Sequence, residues 1–367
     1  MSYTEQNVRE VRRLMDDGWE NRLAIRNKLT CGPAQLDKML TEARARTPWL
    51  REGASVPQQQ TIRDFARART KALKDIANRL PVHQRAGMPR CRKKRKALPT
   101  LNYTRRGFRL KDGRPHLAGG IVLTVVWSRN LPSAPSSVRV YRDSLGHWYT
   151  SFVAAAEVQP LPAAGAVIGV DWGVCETATT TSAAHDLPHP QHGRTAARKP
   201  ARRKPPEGKP ESRGYQHAGR QAAKLHKKVA RQRQDTARKW AKKVVRDHDA
   251  VAVEDFRPTF LARTTMARKA AGAAIAATKR AVIEMSRKHG RDIRLVHPAH
   301  TTMDCASCGA RTKHALPLAE RTYTCTACGL VSSRDKNSAR VMLVRAGLIP
   351  AGAEGVRPAG ALLPQAA

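Results

Sequence analysis

Apolar residues along this chain follow two periods in turn, and the switch between them divides it. In residues 1 to about 80 they recur every three or four positions: Val8, Val11, Leu14 and Met15, then Leu36, Met39 and Leu40 after the helix starter Gly32-Pro33. Pro57 opens a further helical stretch in which Ile62, Phe65, Ala66, Leu73, Ile76 and Leu80 form a broad stripe. Arg63, Arg67, Arg69, Lys71 and Lys74 take the opposite face, which reads equally as a solvated surface or as a nucleic-acid contact. From about 97 to 160 the period falls to two. Gly107-Phe-Arg-Leu, Ile121-Val-Leu-Thr-Val-Val-Trp and Ser137-Val-Arg-Val-Tyr-Arg read as strands. The last turns through Asp143-Ser144-Leu145-Gly146 into Trp148-Tyr-Thr-Ser-Phe-Val, a hairpin signal. A small antiparallel β domain follows from this, a barrel.

After a Pro/Ala/Gly linker at 160–165, strands and helices alternate. Ala166-Val-Ile-Gly-Val-Asp171 is a buried-type strand ending in an acid, and Cys175-Glu-Thr-Ala-Thr-Thr-Thr is its expected partner. A Pro, Arg, His and Ala-rich stretch to about 215 reads as a mobile loop, followed by a long helix over about 216–247. Ala250-Val-Ala-Val-Glu254-Asp-Phe is a second buried strand ending in acids. A helix at about 265–289, a strand Ile293-Arg-Leu-Val-His-Pro298 and a closing helix at about 335–346 complete the pattern. No solenoid repeat is present.

Charge changes the picture. The 367 residues hold 68 Lys+Arg against 29 Asp+Glu, a net +39, which self-repels unless a polyanion neutralises it. Nucleic acid is the expected partner, since no apolar run nears the roughly 18 residues of a membrane span and the start lacks an apolar signal region. Two places concentrate the charge. Pro89 to Lys96 carries six cations in eight residues without a carboxylate, a phosphate clamp in which Arg90, Arg92, Lys93, Lys94 and Arg95 are the candidate contacts. Between Arg194 and Arg246 there are 19 Lys/Arg against Glu207, Glu211 and Asp235; on the helix, Lys227, Lys228, Arg231, Arg238 and Lys242 are the candidates.

Cys305, Cys308, Cys325 and Cys328 have the spacing C-x2-C-x16-C-x2-C, which suits one tetrahedral Zn²⁺ held by four thiolates. Gly309 and Gly329 follow the pairs and let the backbone turn around a metal. Two reactive thiol pairs or a disulfide clip are the plainer alternatives. Cys31, Cys91 and Cys175 are scattered, as in a reducing cytosol.

Three acids stand out by position: Asp171 and Glu254 at strand ends, and Asp335 opening the closing helix. Side chains at adjacent strand ends converge on one sheet edge, and an acid on an apolar strand needs a partner or a metal. Salt bridges and a Mg²⁺ site both answer that need. Asp255 should point to the opposite face and be structural.

Val167-Ile-Gly-Val-Asp171-Trp-Gly-Val, Val251-Ala-Val-Glu254-Asp-Phe, and the ribbon followed by Arg334-Asp335-Lys-Asn337-Ser-Ala resemble the three split nuclease motifs of the RuvC (RNase H-like) domain in TnpB. These proteins accompany bacterial insertion sequences and are related to the type V CRISPR effector nucleases. Gln232-Arg233-Gln234-Asp235 resembles the family's basic segment, and Gly87-Met-Pro-Arg-Cys-Arg-Lys-Lys its Pro-containing basic signature. The hairpin at 137–153 is similar to the last part of its wedge-like domain, so the resemblance spans roughly 60 to 345. The chain departs from the family by opening on helical rather than strand sequence, and by Ser333 and Ser338 flanking the third motif.

The resemblance implies an α+β multidomain protein. Its parts would be a helical recognition lobe (1–85), a β wedge domain (86–160) and a RuvC-like α/β domain (166–300). Then come an inserted zinc ribbon (301–332), a closing helix (333–346) and a disordered tail (347–367). It implies an RNA-guided, transposon-associated DNA endonuclease in which Asp171, Glu254 and Asp335 carry catalytic Mg²⁺ and structural Zn²⁺ holds the frame. Its partners would be a guide RNA from the element and target double-stranded DNA, with self-association open, in a cytoplasmic, nucleoid-associated location. A strand-joining transposase, a non-cleaving nucleic-acid-binding regulator and a ribosomal-type ribbon protein are the competing readings; the last leaves Asp171 and Glu254 without a role.

Overall fold

The computed structural model describes residues 32–90, 97–190, 210–256 and 264–349, apart from 315 and 318. The expected helix around Val8 to Met15, most of the clamp, the loop at 191–209 and nearly all of the tail lie outside the described residues. The chain forms two compact units, 1–156 and 157–367.

In the first unit, helices α1 (Pro33–Arg46), α2 (Pro48–Glu52) and α3 (Ser55–Ala77) come first. Arg44 braces the turn between them by donating to the carbonyls of Leu50 (2.7 Å) and Gly53 (2.8 Å) and to Gln58 Oε1 (2.6 Å). Strands β1 (Thr100–Thr104), β5 (Ser137–Arg142) and β6 (Trp148–Val153) form one antiparallel sheet in the order β1-β5-β6. Strands β2 (Phe108–Lys111), β3 (Arg114–Leu117) and β4 (Ile121–Val122) form another. Tyr103, Phe108, Leu117, Val138 and Val140 fill the core, with Val56 packed against it.

Two expectations are corrected here. The β region is not a closed barrel: two small sheets stand side by side without a ladder joining them. The run from Ile121 to Trp127 is also no seven-residue strand, since only Ile121 and Val122 pair with β3. Pro115 is the reason. It accepts from Leu123 N (2.9 Å) but has no N–H to return, so the ladder stops there.

The second unit is built on a five-stranded sheet of order β11-β10-β7-β8-β9. Its strands are β7 (Val167–Trp172), β8 (Glu176–Thr180), β9 (Leu187–Pro188), β10 (Ala250–Glu254) and β11 (Asp292–Val296). β11, β10 and β7 run parallel; β8 and β9 are antiparallel additions. One face packs on α4 (Arg213–Asp247) and α6 (Ile275–Lys288) through Ile168, Val170, Val251, Val253, Trp240 and Val282. The other face packs Ala252 and Val296 on Met342 and Leu343 of α7 (Arg334–Arg345).

The single helix expected at about 265–289 is broken into α5 (Ala267–Ala273) and α6 at Ala274, whose φ is +54°. Gly272, two residues earlier, is the one weak helix former in this Ala-rich stretch. Packing adds to it: a Cβ on Gly272 would meet His189 Nε2 at 2.6 Å, so the residue after β9 passes close to this turn.

Candidate active site and metal centre

Strand alternation decides where the acids point. Along β10, Val251 and Val253 enter the core against α4 and α6, which sends Ala252 and Glu254 to the α7 face. Along β7, Ile168 and Val170 take the first face, leaving Gly169 and Asp171 on the second. The register Val170↔Val253 places Asp171 beside Glu254. Gly169 brings the third element in. A Cβ there would overlap the Ala339 carbonyl oxygen and lie 3.1 Å from Leu343 Cγ, so only glycine lets α7 approach this closely.

That contact fixes Asp335. It lies one helical turn before Ala339, a rise of about 6 Å, while Asp171 lies two strand residues beyond Gly169, about 6.6 Å. The helix start and the strand end therefore meet. Asp171 is 8 % exposed, and its carboxyl is held well above the usual range by burial, then by the charges of Glu254 and Asp335. Glu254 is 7 % exposed, and burial pushes it up to about 7. Asp335 lies 3.5 Å from Arg321 and 3.4 Å from Arg334. Asp255 does turn the other way and forms an ion pair with Lys279 of α6.

The donor set suits a hard divalent cation. Three carboxylates share one edge, and two of them are buried and resist ionising without added positive charge. The described carboxylates do not gather as tightly as the cysteines, whose four Sγ atoms all lie within 4.8 Å of one another.

The cysteine centre is closed. Cys305 and Cys328 Sγ are 3.7 Å apart, and Cys308 and Cys325 Sγ 3.6 Å. A tetrahedral Zn–S bond of about 2.3 Å gives an S···S edge of about 3.8 Å, whereas a disulfide needs about 2.05 Å. These separations are too long for a disulfide and place all four thiols around one metal-sized centre. Each knuckle turns the same way: Gly309 N donates to Cys305 O (3.0 Å) and Gly329 N to Cys325 O (2.9 Å), with φ of +75° and +74°. Burial pushes the Cys305 thiol up to about 12. Burial also raises Cys325, but the N–H groups of Cys328 and Ala327, together with the Cys308 and Cys328 thiols, outweigh it and bring that thiol down to about 7.

Sequence reasoning missed how the ribbon is attached. It carries a hairpin of β12 (Thr322–Thr324) and β13 (Val331–Ser333) that runs straight into α7. Asn337, fully buried, accepts from Ala306 N (3.0 Å) and donates to Asp304 O (2.7 Å). Arg345 pairs with Asp304 (2.5 Å), and Lys336 with Asp186 (2.5 Å). Only the packing reveals these roles; the Arg-Asp-Lys-Asn string marked the place but not the partners.

Of the candidate phosphate contacts, Arg92, Lys93, Lys94 and Arg95 lie outside the described residues; Arg90 is exposed. Lys228, Arg231, Arg238 and Lys242 are exposed along α4 at spacings that keep one face, over about 21 Å. Lys227 is half-buried, and desolvation and Arg231 hold its ammonium below the ordinary value. No helix among the described residues is long and apolar enough to cross a membrane.

Residues 150–260 match the protein-family model described as "Probable transposase", and residues 277–342 match "Cas12f1-like, TNB domain". Two relatives are named RNA-guided DNA endonucleases. One, from Streptomyces pristinaespiralis, is 29 % identical over 84 % of this chain and 76 % of its own length. The other, InsQ of Escherichia coli (strain K12), is 25 % identical over 81 % and 76 %. The solved Cas12f1–sgRNA–target DNA complex is similar at 14 % identity and a TM-score of 0.47, over 87 % of this chain and 76 % of that one.

Proposed function

We propose that this chain, which belongs to the TnpB family, is an RNA-guided DNA endonuclease whose cutting centre is Asp171, Glu254 and Asp335. The observation that carries the reading is the meeting of the three acids where the α7 start reaches the sheet, with Asp171 raised by burial and then by the charges of the other two. A salt-bridge role fits poorly, because Asp171 and Glu254 are buried without a direct cationic partner among the described residues.

The three carboxylates would hold Mg²⁺, which supplies an activated water and charge stabilisation for the leaving oxygen of a phosphodiester. The chain's own part is to keep those oxygens together, with Asp171 and Glu254 buried at the strand ends and Asp335 at the start of α7. The sheet order, with its parallel trio and antiparallel pair, supports an RNase H-like assignment of the second unit. A helical recognition lobe and wedge domain are our reading of the first unit, and zinc of the cysteine centre. The relatives' names support guide RNA and target DNA as partners. Pairing would then read the target, and the cationic face of α4 would track backbone phosphates.

The match to a transposase-described model keeps strand joining as a second reading. Protein purified with its RNA, given matching duplex DNA and Mg²⁺, tests both. Cleavage is expected from the native chain, with RNA binding intact and cutting lost in Asp171→Ala. Joined products without an RNA requirement would favour the transposase, and cutting by Asp171→Ala would remove the acid assignment.

A further inference from the structure

Past Val170 the paired register with the parallel neighbour ends, and one side chain links the two strands beyond it. The β7–β10 ladder ends at Val170↔Val253, one residue before Asp171 and Glu254. Beyond it β7 continues against β8 (Asp171↔Thr179, Trp172↔Ala178), while Glu254 stays with Val296 of β11. Trp172, by alternation, turns away from the acids into the α4 side of the sheet. There its indole N–H donates to the Glu254 carbonyl oxygen at 3.1 Å in a buried bond. Trp240 lies edge-on to the ring with centroids 6.0 Å apart, and its own indole donates to His185 O at 2.7 Å.

The arrangement answers a specific need. A buried carbonyl that has lost its ladder neighbour requires another donor, and phenylalanine or leucine of similar bulk would bring none. Trp172 is also covalently next to Asp171. One side chain therefore connects the backbones of two of the three acids beyond the last paired residues of their strands.

We propose that Trp172 is a positioning residue whose indole bond to Glu254 sets the separation at which Asp171 and Glu254 take a divalent cation. The proposal rests on the carboxylates being cation ligands. Partners that orient metal ligands in this way are typically worth about 10–100-fold in metal affinity.

Mn²⁺ binding to the full-length, zinc-loaded protein by electron paramagnetic resonance tests it, with cleavage by the RNA-loaded protein as the second readout. Trp172→Phe keeps a ring in the core and removes the donor. Its Mn²⁺ dissociation constant is expected to rise about tenfold or more, with the metal half-saturation of cleavage rising in parallel and the maximal rate largely recovered at saturating metal. Benzothienylalanine at 172 keeps the bicyclic shape and deletes only the N–H, so it reports even if the phenylalanine variant folds poorly; the same rise is expected. Trp240→Phe removes an equally buried indole N–H without touching Glu254 and should bind Mn²⁺ as the native chain does. Native affinity in both position-172 variants, or equal weakening in Trp240→Phe, overturns the positioning role. Glu254→Gln distinguishes the two levels: if it still binds Mn²⁺ normally, the carboxylate reading itself fails. If it loses binding while the position-172 variants keep theirs, only Trp172's role fails.

Discussion

Arg321 and Asp335 face each other across 3.5 Å where the cysteine ribbon runs into α7. Arg334 approaches the other carboxylate oxygen at 3.4 Å, so two guanidiniums meet one candidate cation ligand. They are not equivalent. Arg334 is buried and donates to Pro317 O (3.0 Å), while the Arg321 side chain is 52 % exposed and also donates to Cys175 Sγ (3.5 Å). An exposed pair of this kind is worth about 0–1 kcal/mol, which makes Arg321 the partner that can leave.

Arg321 competes with a metal for Asp335 in this geometry. Arg321→Ala should therefore bind Mn²⁺ a few-fold more tightly, with thermal stability changed by less than about 1 kcal/mol. Weaker Mn²⁺ binding in this variant would show that the guanidinium orders the carboxylate rather than competing for it.

Gly169 makes a prediction of opposite scale. Its Cβ has nowhere to go but the Ala339 carbonyl, both being backbone-fixed, so α7 must slide off β7. Overpacking of this sort costs about 1–3 kcal/mol or more. Gly169→Ala should lower the unfolding midpoint clearly and reduce cutting by displacing Asp335. An unchanged midpoint would contradict the close helix–strand contact.

The cysteine centre predicts a metal count. Cys325→Ser should lose nearly all zinc by elemental analysis and loosen the segment before α7, because structural zinc supplies about 10–16 kcal/mol of apparent binding in small zinc modules. Full zinc content in that variant refutes a four-thiolate site.

The strands that bear Asp171 and Glu254 were legible because parallel, doubly covered strands write themselves as unbroken apolar runs, and an acid closing such a run is conspicuous. The cysteine spacing was legible for the same reason: ligand geometry is local. What escaped was made by distant parts meeting. The collision that demands Gly169 comes from Ala339, the break at Ala274 accompanies the close approach of His189 to Gly272, and the indole bond of Trp172 joins two strands far apart in sequence. Pro115 is the exception, since its missing N–H could have shortened β4 on sequence grounds alone.

Glu254 gives the pH dependence. Burial raises its carboxyl from 4.5 to about 7, so the fold favours the protonated form. The stabilising effect is complete below the unfolded value and is lost as pH rises through the folded one. The metal-free protein should thus lose on the order of 3 kcal/mol between about pH 4.5 and 7 from this group. A divalent cation binds the ionised form and cancels the loss. Mg²⁺ should therefore raise the unfolding midpoint strongly at pH 8 and hardly at pH 5.5, and cutting should climb with pH through about 7. In Glu254→Gln the difference between the two pH values should shrink, because the titrating group is gone while the shape is kept. Equal Mg²⁺ stabilisation at both pH values in the native chain would mean that the cation sits elsewhere.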